Sequence, residues 1–443
     1  MASSANHRPE IGVVQKVVFY LTFRSIWRLY FNPLSKYPGP EAGGYLGSLP
    51  SRLSGRWPWA VEDVLKKYGD VVRFAPNELG FVTPQSLNAK QLSPAFSGRA
   101  LKAKEPTLHK YVDLFVERMK ALGGGAQGVS LPTWINWMAV DISADMAYNR
   151  EMTALKDMKE PPYLSLLAGF SKVIIYIFLA FTGMRPHSHI RDHSRQQLER
   201  RSRCKGEVGH FDFFEQIIPE DREPPKDKKE MRHLEQIVGQ LLVAGYEPSA
   251  LWLYFSTYYF LKQPRTQCIL AKEIRDAFNC YNDITPSAAA QLSYLNAFLK
   301  ESLRVMPVVS PGAVVDETFI PKGVVCQSSP FALARSPRNF RDPLSFRPER
   351  WLPEDHPLYD SQFADDNRKG FHPFSQGPRI CAGREIAWWQ SRLFIAKVLW
   401  IFNMKMVGGQ NIEIDRDLRG WGMYLKPEVR VQFAPVAHNH AIM

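Results

Sequence analysis

The order of hydrophobic and polar positions predicts a mainly α-helical protein with a small β region. Over residues 106–306 apolar positions recur at helical spacing, interrupted by glycine-rich and proline-rich loops. Before this stretch, VVRFAPNELGFVTP holds two short apolar runs around a Pro-Asn pair, which predicts two strands and a turn. Short strands and loops follow it. A helical pattern that is apolar on several faces returns over residues 384–402, so we expect a buried last helix.

Two apolar segments in the helical half raise the question of membrane insertion. Residues 237–261 are long enough to cross a bilayer, but Glu247 stands beside Pro248 in the middle, and an acid is costly in lipid. We therefore predict a core helix of a large helical domain there. Residues 173–184 are uncharged but shorter than a spanning helix requires.

The amino-terminal segment predicts attachment to a membrane surface rather than a crossing. Residues 11–31 are apolar and aromatic, yet basic residues interrupt them and no small-residue cleavage site is present. We expect an amphipathic helix in the membrane interface, with an ordinary surface helix as the alternative. The proline-rich run after it cannot be helical, so residues 1–40 are predicted as anchor and connector and residues 41–443 as one domain.

Composition excludes a disordered chain, and the distribution of charge argues against a nucleic-acid-binding protein. The 443 residues are 45% hydrophobic and 12% aromatic, enough for a sizeable core. The net charge of +12 is spread along the chain rather than clustered with aromatic residues. The densest basic stretch, residues 191–205, predicts a solvated helix face, although a surface for anionic lipid or an acidic protein fits as well.

The cysteines predict neither a disulfide framework nor a zinc site, because their number is odd and no pair has zinc-ligand spacing. A reducing, cytosol-facing environment is the simpler interpretation. One cysteine, Cys381, lies in a loop of prolines and glycines just before the last helix, an unusual place for an inert core thiol. A helix N-terminus lowers the pKa of a thiol and so favours the thiolate, the form that binds metals.

The residues around Cys381 predict a pocket for a metal and a flat anionic cofactor. Gly377 permits a turn of the chain, and Gly383 leaves space for a large planar group. Arg379 offers donors that suit a carboxylate, and Phe374 shields the sulfur from water. Haem held by a proximal thiolate, with its propionates paired to arginine, satisfies all of these features.

Several motifs in the correct order resemble those of cytochromes P450. FSQGPRICAG, residues 374–383, resembles the haem-binding loop Phe-x-x-Gly-x-Arg-x-Cys-x-Gly at each fixed position. ESLR resembles the Glu-x-x-Arg helix of the family, and FRPERW resembles its Pro-Glu-Arg motif. The resemblance implies that Glu301, Arg304 and Arg350 form a buried charge triad, although a Glu-x-x-Arg pair alone is typical of a surface salt bridge.

The resemblance extends over most of the chain and is closest to membrane-bound P450s of filamentous fungi that modify secondary metabolites. It implies the cytochrome P450 fold, haem b with Cys381 as axial iron ligand, and monooxygenation of a lipophilic small molecule. Because the sequence has no flavin or nicotinamide motif, electrons would come from NADPH through a separate reductase. The resemblance also implies a location at the cytosolic face of the endoplasmic reticulum membrane.

The predicted central helix departs from the family at the position that helps activate oxygen. The family pattern Ala-Gly-x-Glu/Asp-Thr-Thr is replaced by AGYEPS, which keeps Glu247 but puts Pro248 where a threonine is expected. Pro248 cannot donate to the carbonyl of Ala244, so we expect a polar notch there. Glu247, Ser249 and ordered water are the predicted proton carriers. A proline kink without catalytic consequence is the alternative.

The chain is also shorter than the family pattern in two places. After residues 81–85 a segment of a few dozen residues is missing, including a helix whose Trp and Arg or His would contact the haem propionates. Residues 306–323 lack the arginine that is usual before the next strand pair. These losses leave Arg379 as the recognisable propionate partner.

Two other functions stay open on the sequence alone. Pro248 is compatible with a haem-thiolate isomerase, dehydratase or peroxide-using enzyme that needs no oxygen-activating alcohol. The missing segment is compatible with a truncated, haem-poor protein that acts at most as a binding module. The substrate cannot be identified beyond a lipophilic small molecule, because the residues that select it lie in variable and partly missing segments.

Overall fold

The structure is a computed structural model that describes most of the chain. Described are Gln15, Phe19, Tyr20, Thr22, Phe23, Leu164, Arg195, Gln196 and the ranges 50–69, 71–75, 78–81, 102–162, 227–307, 325–376, 380–420 and 424–437. The predicted connector, the run 173–184, the shortened segments and the loop residues Gly377 and Arg379 lie outside these residues.

Helices dominate the described residues, as predicted. In chain order they are α1 (Trp57–Tyr68), α2 (Glu105–Leu122), α3 (Leu131–Tyr148), α4 (Ala154–Asp157), α5 (Lys228–Lys262), α6 (Pro264–Ala277), α7 (Pro286–Ala289), α8 (Ser293–Val305), α9 (Pro330–Ala334), α10 (Arg384–Ile401) and α11 (Ile414–Asp417). Strands are few and short, namely β1 (Val71–Ala75), β2 (Glu78–Phe81), β3 (Val129–Ser130), β4 (Val325–Ser328), β5 (Phe402–Met406), β6 (Arg419–Gly420), β7 (Tyr424–Leu425) and β8 (Arg430–Pro435).

The strands form small sheets that join distant parts of the chain. β1 and β2 are antiparallel, as the Pro-Asn pair predicts, and β2 continues into a parallel pairing with β4. β8 lies between β3 and β5, with antiparallel pairing on both sides. β6 and β7 form a hairpin of their own. The fold is therefore mainly α with a small β region.

The central element is α5, a continuous helix of 35 residues that includes Pro248. It packs most extensively against α3. A Cβ on Gly245 would lie 2.6 Å from Ser143 Oγ, so this close approach of the two helices requires glycine. The Ser143 hydroxyl donates to the Leu242 carbonyl oxygen at 2.9 Å and fixes the contact. None of the helices in the described ranges is long and apolar enough to cross a membrane.

One large hydrophobic core extends from α2 and α3 through α5 and α8 to α10. A smaller cluster joins α1 and β1 to α9. The prediction of a buried last helix is confirmed, since α10 contacts α2, α5, α6, α7 and α8. Its N-terminal residue follows Gly383, whose carbonyl accepts the Ala387 N–H at 3.0 Å. The loop with Cys381 thus leads into a helix that is exposed or half-buried over residues 384–389 and mostly buried over residues 390–401.

Candidate functional site

The loop with Cys381 is closed by its own backbone. The Cys381 N–H donates to the Phe374 carbonyl oxygen at 2.9 Å, which brings the two ends of the loop together. The left-handed residue that bends the described part of the loop is Ser375, with φ 58°, a conformation that is unusual for a residue other than glycine. The thiol is free of any disulfide and exposed.

The pKa of Cys381 does not move in the direction that its position suggests. A helix N-terminus predicts a lowered thiol pKa. Although the residue as a whole is exposed, nearby protein atoms partly desolvate its sulfur and raise the pKa above its ordinary value. The Gly383 backbone N–H and the Arg384 guanidinium oppose this rise and do not overcome it. The polypeptide alone therefore favours the thiol, and coordination to a metal would supply the drive to the thiolate.

Aromatic side chains support the loop from behind. The ring of Phe374 lies 5.8 Å from that of Trp252 on α5 and 6.5 Å from that of Trp388 on α10. The two tryptophan rings meet edge to face at 4.9 Å. Trp252 is fixed further, since its indole N–H donates to Ser302 Oγ at 3.0 Å. The sequence predicts Phe374 here but not the tryptophans, because their partners are set by helix packing.

The predicted charge triad is assembled and fully buried. Arg304 donates to both carboxylate oxygens of Glu301 at 2.8 Å, in the bidentate geometry that arginine and carboxylate favour. Arg350 Nε donates to Glu301 Oε1 at 3.1 Å. The side chains of Glu301 and Arg304 are 0% exposed and that of Arg350 is 1% exposed. The motif-based prediction therefore places these three residues correctly.

The triad has further members that the motifs do not reveal. The Trp351 indole N–H and the Arg347 backbone N–H each donate to Glu301 at 2.8 Å. Arg350 pairs in addition with Asp366. Burial acts to raise the pKa of Glu301, but Arg304, Arg350 and the Arg347 N–H together hold it below its ordinary value. The carboxylate is thus locked in its ionised form.

Glu247 on α5 is buried and held by the β6–β7 hairpin. Its Oε2 lies 3.5 Å from Lys426 Nζ, and its Oε1 accepts the Tyr424 backbone N–H at 3.1 Å. The side chain of Lys426 is 3% exposed. Burial lowers the pKa of Lys426, and the Glu247 carboxylate only partly opposes this change. No sequence motif points to Lys426 as the partner of the central-helix acid.

The other predicted site residues differ in how far the structure describes them. Ser249 is half-buried on α5, two residues after Glu247. Pro248 lies within the helix, so the Ala244 carbonyl lacks the N–H that another residue would supply. Gly383 meets no protein atom closer than 3.7 Å from an added Cβ. Protein packing therefore does not demand glycine at that position, and the approach of a flat ligand stays a prediction.

The described residues fit a haem held by a thiolate. A Cβ on Gly383 would lie 3.9 Å from Cys381 Sγ and 3.7 Å from Ile386 Cγ2, so glycine keeps this point beside the sulfur free of a side chain of its own. The thiol is exposed on a backbone-closed loop, as an axial ligand requires, and Phe374 flanks it. The loop rests on a buried helix and an aromatic cluster, which give it a fixed position.

Comparison with known proteins agrees with this geometry. The family model described as cytochrome P450 matches residues 84–433. The chain is 62% identical to cytochrome P450 monooxygenase TwmD of Talaromyces wortmannii, over 96% of this chain and 95% of that protein. It is 30% identical to cytochrome P450 monooxygenase poxC of Penicillium oxalicum, over 94% and 92% of the two chains. It is 29% identical to cytochrome P450 monooxygenase BOA3 of Botryotinia fuckeliana, over 96% of each.

The alignment with TwmD also bears on the missing segments. It runs over 488 positions, more than the 443 residues of this chain, although both proteins are covered almost completely. Some dozens of positions in the relative therefore have no counterpart here. This agrees with the shortening that the sequence predicts.

Proposed function

Because this chain belongs to the cytochrome P450 family, we propose that it is a haem-thiolate monooxygenase that oxidises a lipophilic small molecule in fungal secondary metabolism. Its reaction class is that of its relatives, which are named monooxygenases, so one oxygen atom of O2 enters the substrate. The observation that carries the proposal is Cys381, an exposed free cysteine on a loop closed by the Cys381 N–H to Phe374 carbonyl bond, in a chain that also contains the assembled triad.

Cys381 would hold the iron of haem b, and its neighbours would hold the porphyrin. Phe374 flanks the sulfur, Gly383 leaves space beside it, and the predicted roles of Gly377 and Arg379 are the turn and the propionate contact. When bound, haem supplies the chemistry of oxygen activation. The triad of Glu301, Arg304 and Arg350 keeps the layer behind the loop in place. The protein contributes position and the exclusion of competing ligands.

Glu247 and Ser249 are the proposed proton carriers for oxygen activation. Glu247 is buried on the central helix, beside a proline that leaves a backbone carbonyl without its helical donor. A carboxylate in such a position can take a proton from water and release it again. Ser249 supplies a hydroxyl two residues further along the helix.

Electrons would come from NADPH through a separate NADPH-cytochrome P450 reductase. The net charge of +12 favours docking of an acidic partner. We propose peripheral attachment to the cytosolic face of the endoplasmic reticulum, supported by Phe19, Tyr20 and Phe23, which are helical and 55–74% exposed. Deletion of residues 1–29 should release protein from membranes without loss of haem. Unchanged membrane binding of that variant would place the attachment elsewhere.

The spectrum of the reduced protein with carbon monoxide tests the proposal. The purified chain should show the thiolate-type band, and Cys381→Ser should lose that band while keeping its helical content. Cys268→Ser is the matched control, because Cys268 is also a free, exposed cysteine. A wild-type chain that takes up no haem would favour the truncated, inactive protein instead.

Dependence on NADPH and reductase separates the monooxygenase from the other haem enzymes. With both present, the wild-type protein should consume O2. Product formation without NADPH would support an isomerase, dehydratase or peroxide-using enzyme, for which Pro248 is the sequence observation.

A further inference from the structure

The β6–β7 hairpin holds Glu247 in a defined direction. Tyr424 lies in β7 and Lys426 directly follows it, and they approach different oxygens of the carboxylate, the Tyr424 backbone N–H at 3.1 Å and Lys426 Nζ at 3.5 Å. We propose that Lys426 is a positioning residue that directs Glu247 toward a water-filled cavity through which protons reach this acid. The inference rests on the proposed function, since it assigns the source of the protons for the same reaction.

The cavity lies between α3, α5 and the hairpin and has a volume of about 270 Å³. Glu247, Lys426, Tyr424 and Asn136 are among its lining residues. The side-chain carbonyl oxygen of Asn136 is buried and has no hydrogen-bond partner among the residues that the structure describes. A polar cavity of this size holds several waters, and such an oxygen needs one. Glu247 therefore borders water on one side and the hairpin on the other.

Glu247 is the buried acid among the described residues that face this cavity. The other titratable groups in that part of the lining are Lys426, Tyr246, Tyr424, Glu160 and Glu428. Burial raises the pKa of Tyr424 to about 12 and that of Tyr246 further, so both phenols stay neutral. Glu160 and Glu428 are exposed, and Glu428 accepts from Ser130 Oγ at 2.9 Å. Proton exchange with bulk water at this cavity thus leads to Glu247.

Lys426 is the counter-ion of the Glu247 carboxylate and fixes the position in which that carboxylate accepts a proton. Without the ammonium, a buried carboxylate loses its counter-ion, and protonation becomes easier. The carboxylate also becomes free to turn away from the cavity. Without the Lys426 ammonium, proton delivery should depend on pH in a different range. It should also become slower than the supply of electrons.

The test compares Lys426→Met with Lys426→Arg, which keeps the positive charge. Lys405→Met is the matched control, because Lys405 is an exposed lysine on β5. Each variant is loaded with haem and supplied with reductase, NADPH and O2. The first measurement is the ratio of hydrogen peroxide to water formed from the consumed oxygen, as a function of pH. The second is the melting temperature over the same pH range, which needs no turnover.

We expect the peroxide-to-water ratio to rise about tenfold in Lys426→Met at neutral pH. The pH midpoint of this ratio, and that of the melting temperature, should shift upward by about one to three units. Lys426→Arg and the control should behave like the wild type. A lower melting temperature with an unchanged pH dependence and an unchanged ratio would overturn the inference, because Lys426 would then be merely structural.

Two further outcomes concern a variant that does not fold and a wild-type protein that consumes no O2. If Lys426→Met does not fold, the double variant with Glu247→Gln removes both charges, and a wild-type peroxide-to-water ratio in it would also overturn the inference. If the wild-type protein consumes no O2 with NADPH and reductase, the proposed function fails. The pH dependence of melting still reports then whether Lys426 controls Glu247.

Discussion

Two buried glutamates of this protein are held in very different ways. Glu301 receives hydrogen bonds from two arginines, an indole and a backbone N–H, and none of its surface is exposed. Glu247 has an ammonium at 3.5 Å and a backbone N–H at 3.1 Å, and it borders a cavity. The first carboxylate cannot change its protonation or its place without breaking several bonds. The second has fewer bonds to break.

The difference distinguishes a carboxylate that stabilises the structure from one that has the surroundings required for catalysis. A buried carboxylate surrounded by fixed donors recovers its desolvation cost and keeps its neighbours in one arrangement. A carboxylate with few partners and adjacent water keeps the freedom that proton transfer needs. Glu301 therefore has the partners of a structural residue, and Glu247 has the surroundings that its proposed role in proton delivery requires.

Replacement of each glutamate by glutamine should lower the free energy of unfolding most at Glu301. Glu301→Gln leaves Arg304 and Arg350 buried without their counter-ion, so we expect a loss of about 3–5 kcal/mol in the free energy of unfolding. Poor haem retention and aggregation should follow. Thermal unfolding and the haem-to-protein ratio measure both effects. A soluble, fully loaded variant with the wild-type melting temperature would show that the triad is dispensable.

Asp141 provides an intermediate case, a buried carboxylate held only by backbone donors. It accepts the N–H groups of Ala154 and Leu155, yet burial raises its pKa to about 6. Because the folded-state pKa lies above the ordinary value, the folded protein binds more protons between about pH 4 and 6. The contribution of Asp141 to stability should therefore fall as the pH rises through this window, by up to about 3 kcal/mol.

Unfolding of the wild type and Asp141→Asn at several pH values tests this sign. The stability of the wild type relative to the variant should decrease from about pH 4, continue to fall through the folded-state pKa of about 6, and become constant about one unit above it. A difference that is independent of pH would mean that Asp141 keeps its ordinary pKa in the folded protein.

Glu247→Gln should cost less stability than the same change at Glu301. The pKa of Lys426 is already lowered by burial, so its ammonium can release a proton when the carboxylate is lost. We expect a loss of about 1–3 kcal/mol and full haem content, but a higher share of peroxide among the oxygen products. Equal destabilisation by the two substitutions would remove the distinction between the glutamates.

The smallest effect on stability is expected at Ser249 and Pro248, where only proton delivery should change. Ser249→Ala should raise peroxide release and lower product yield per NADPH, because a positioned proton donor is worth roughly 10²–10⁴-fold in rate. Pro248→Thr restores a hydroxyl and a backbone N–H in the helix and should raise the product yield per NADPH. Equal yields in the wild type and both variants would show that neither residue takes part in oxygen activation.

Motifs predict the parts of the site that are close in sequence or fixed in order. The spacing of Glu301 and Arg304 on one helix face, and the order of the motifs, place the triad correctly. The pattern of apolar residues also predicts the buried α10 and the β1–β2 pair. These features depend on local periodicity and on a loop whose residues are contiguous.

The remaining contacts depend on where the fold brings distant segments. Glu247 and Tyr424 are 177 positions apart, and no periodicity of the chain connects them. Asp366 and Trp351 complete the triad from loops that pack against α8 only in three dimensions. The raised pKa of Cys381 arises in the same way, because local sequence shows the helix end but not the atoms that surround the sulfur. The sequence does not determine how deeply each of these groups is buried.

The position of the β6–β7 hairpin in the chain has a consequence for biosynthesis. During translation α5 is made long before Lys426 and β8. Glu247 is therefore part of the nascent chain before its counter-ion, Lys426, has been made. β8 then closes the sheet between β3 and β5, a pairing with very large sequence separation. Formation of this sheet therefore comes after the synthesis of α5 and of the helices that precede β8.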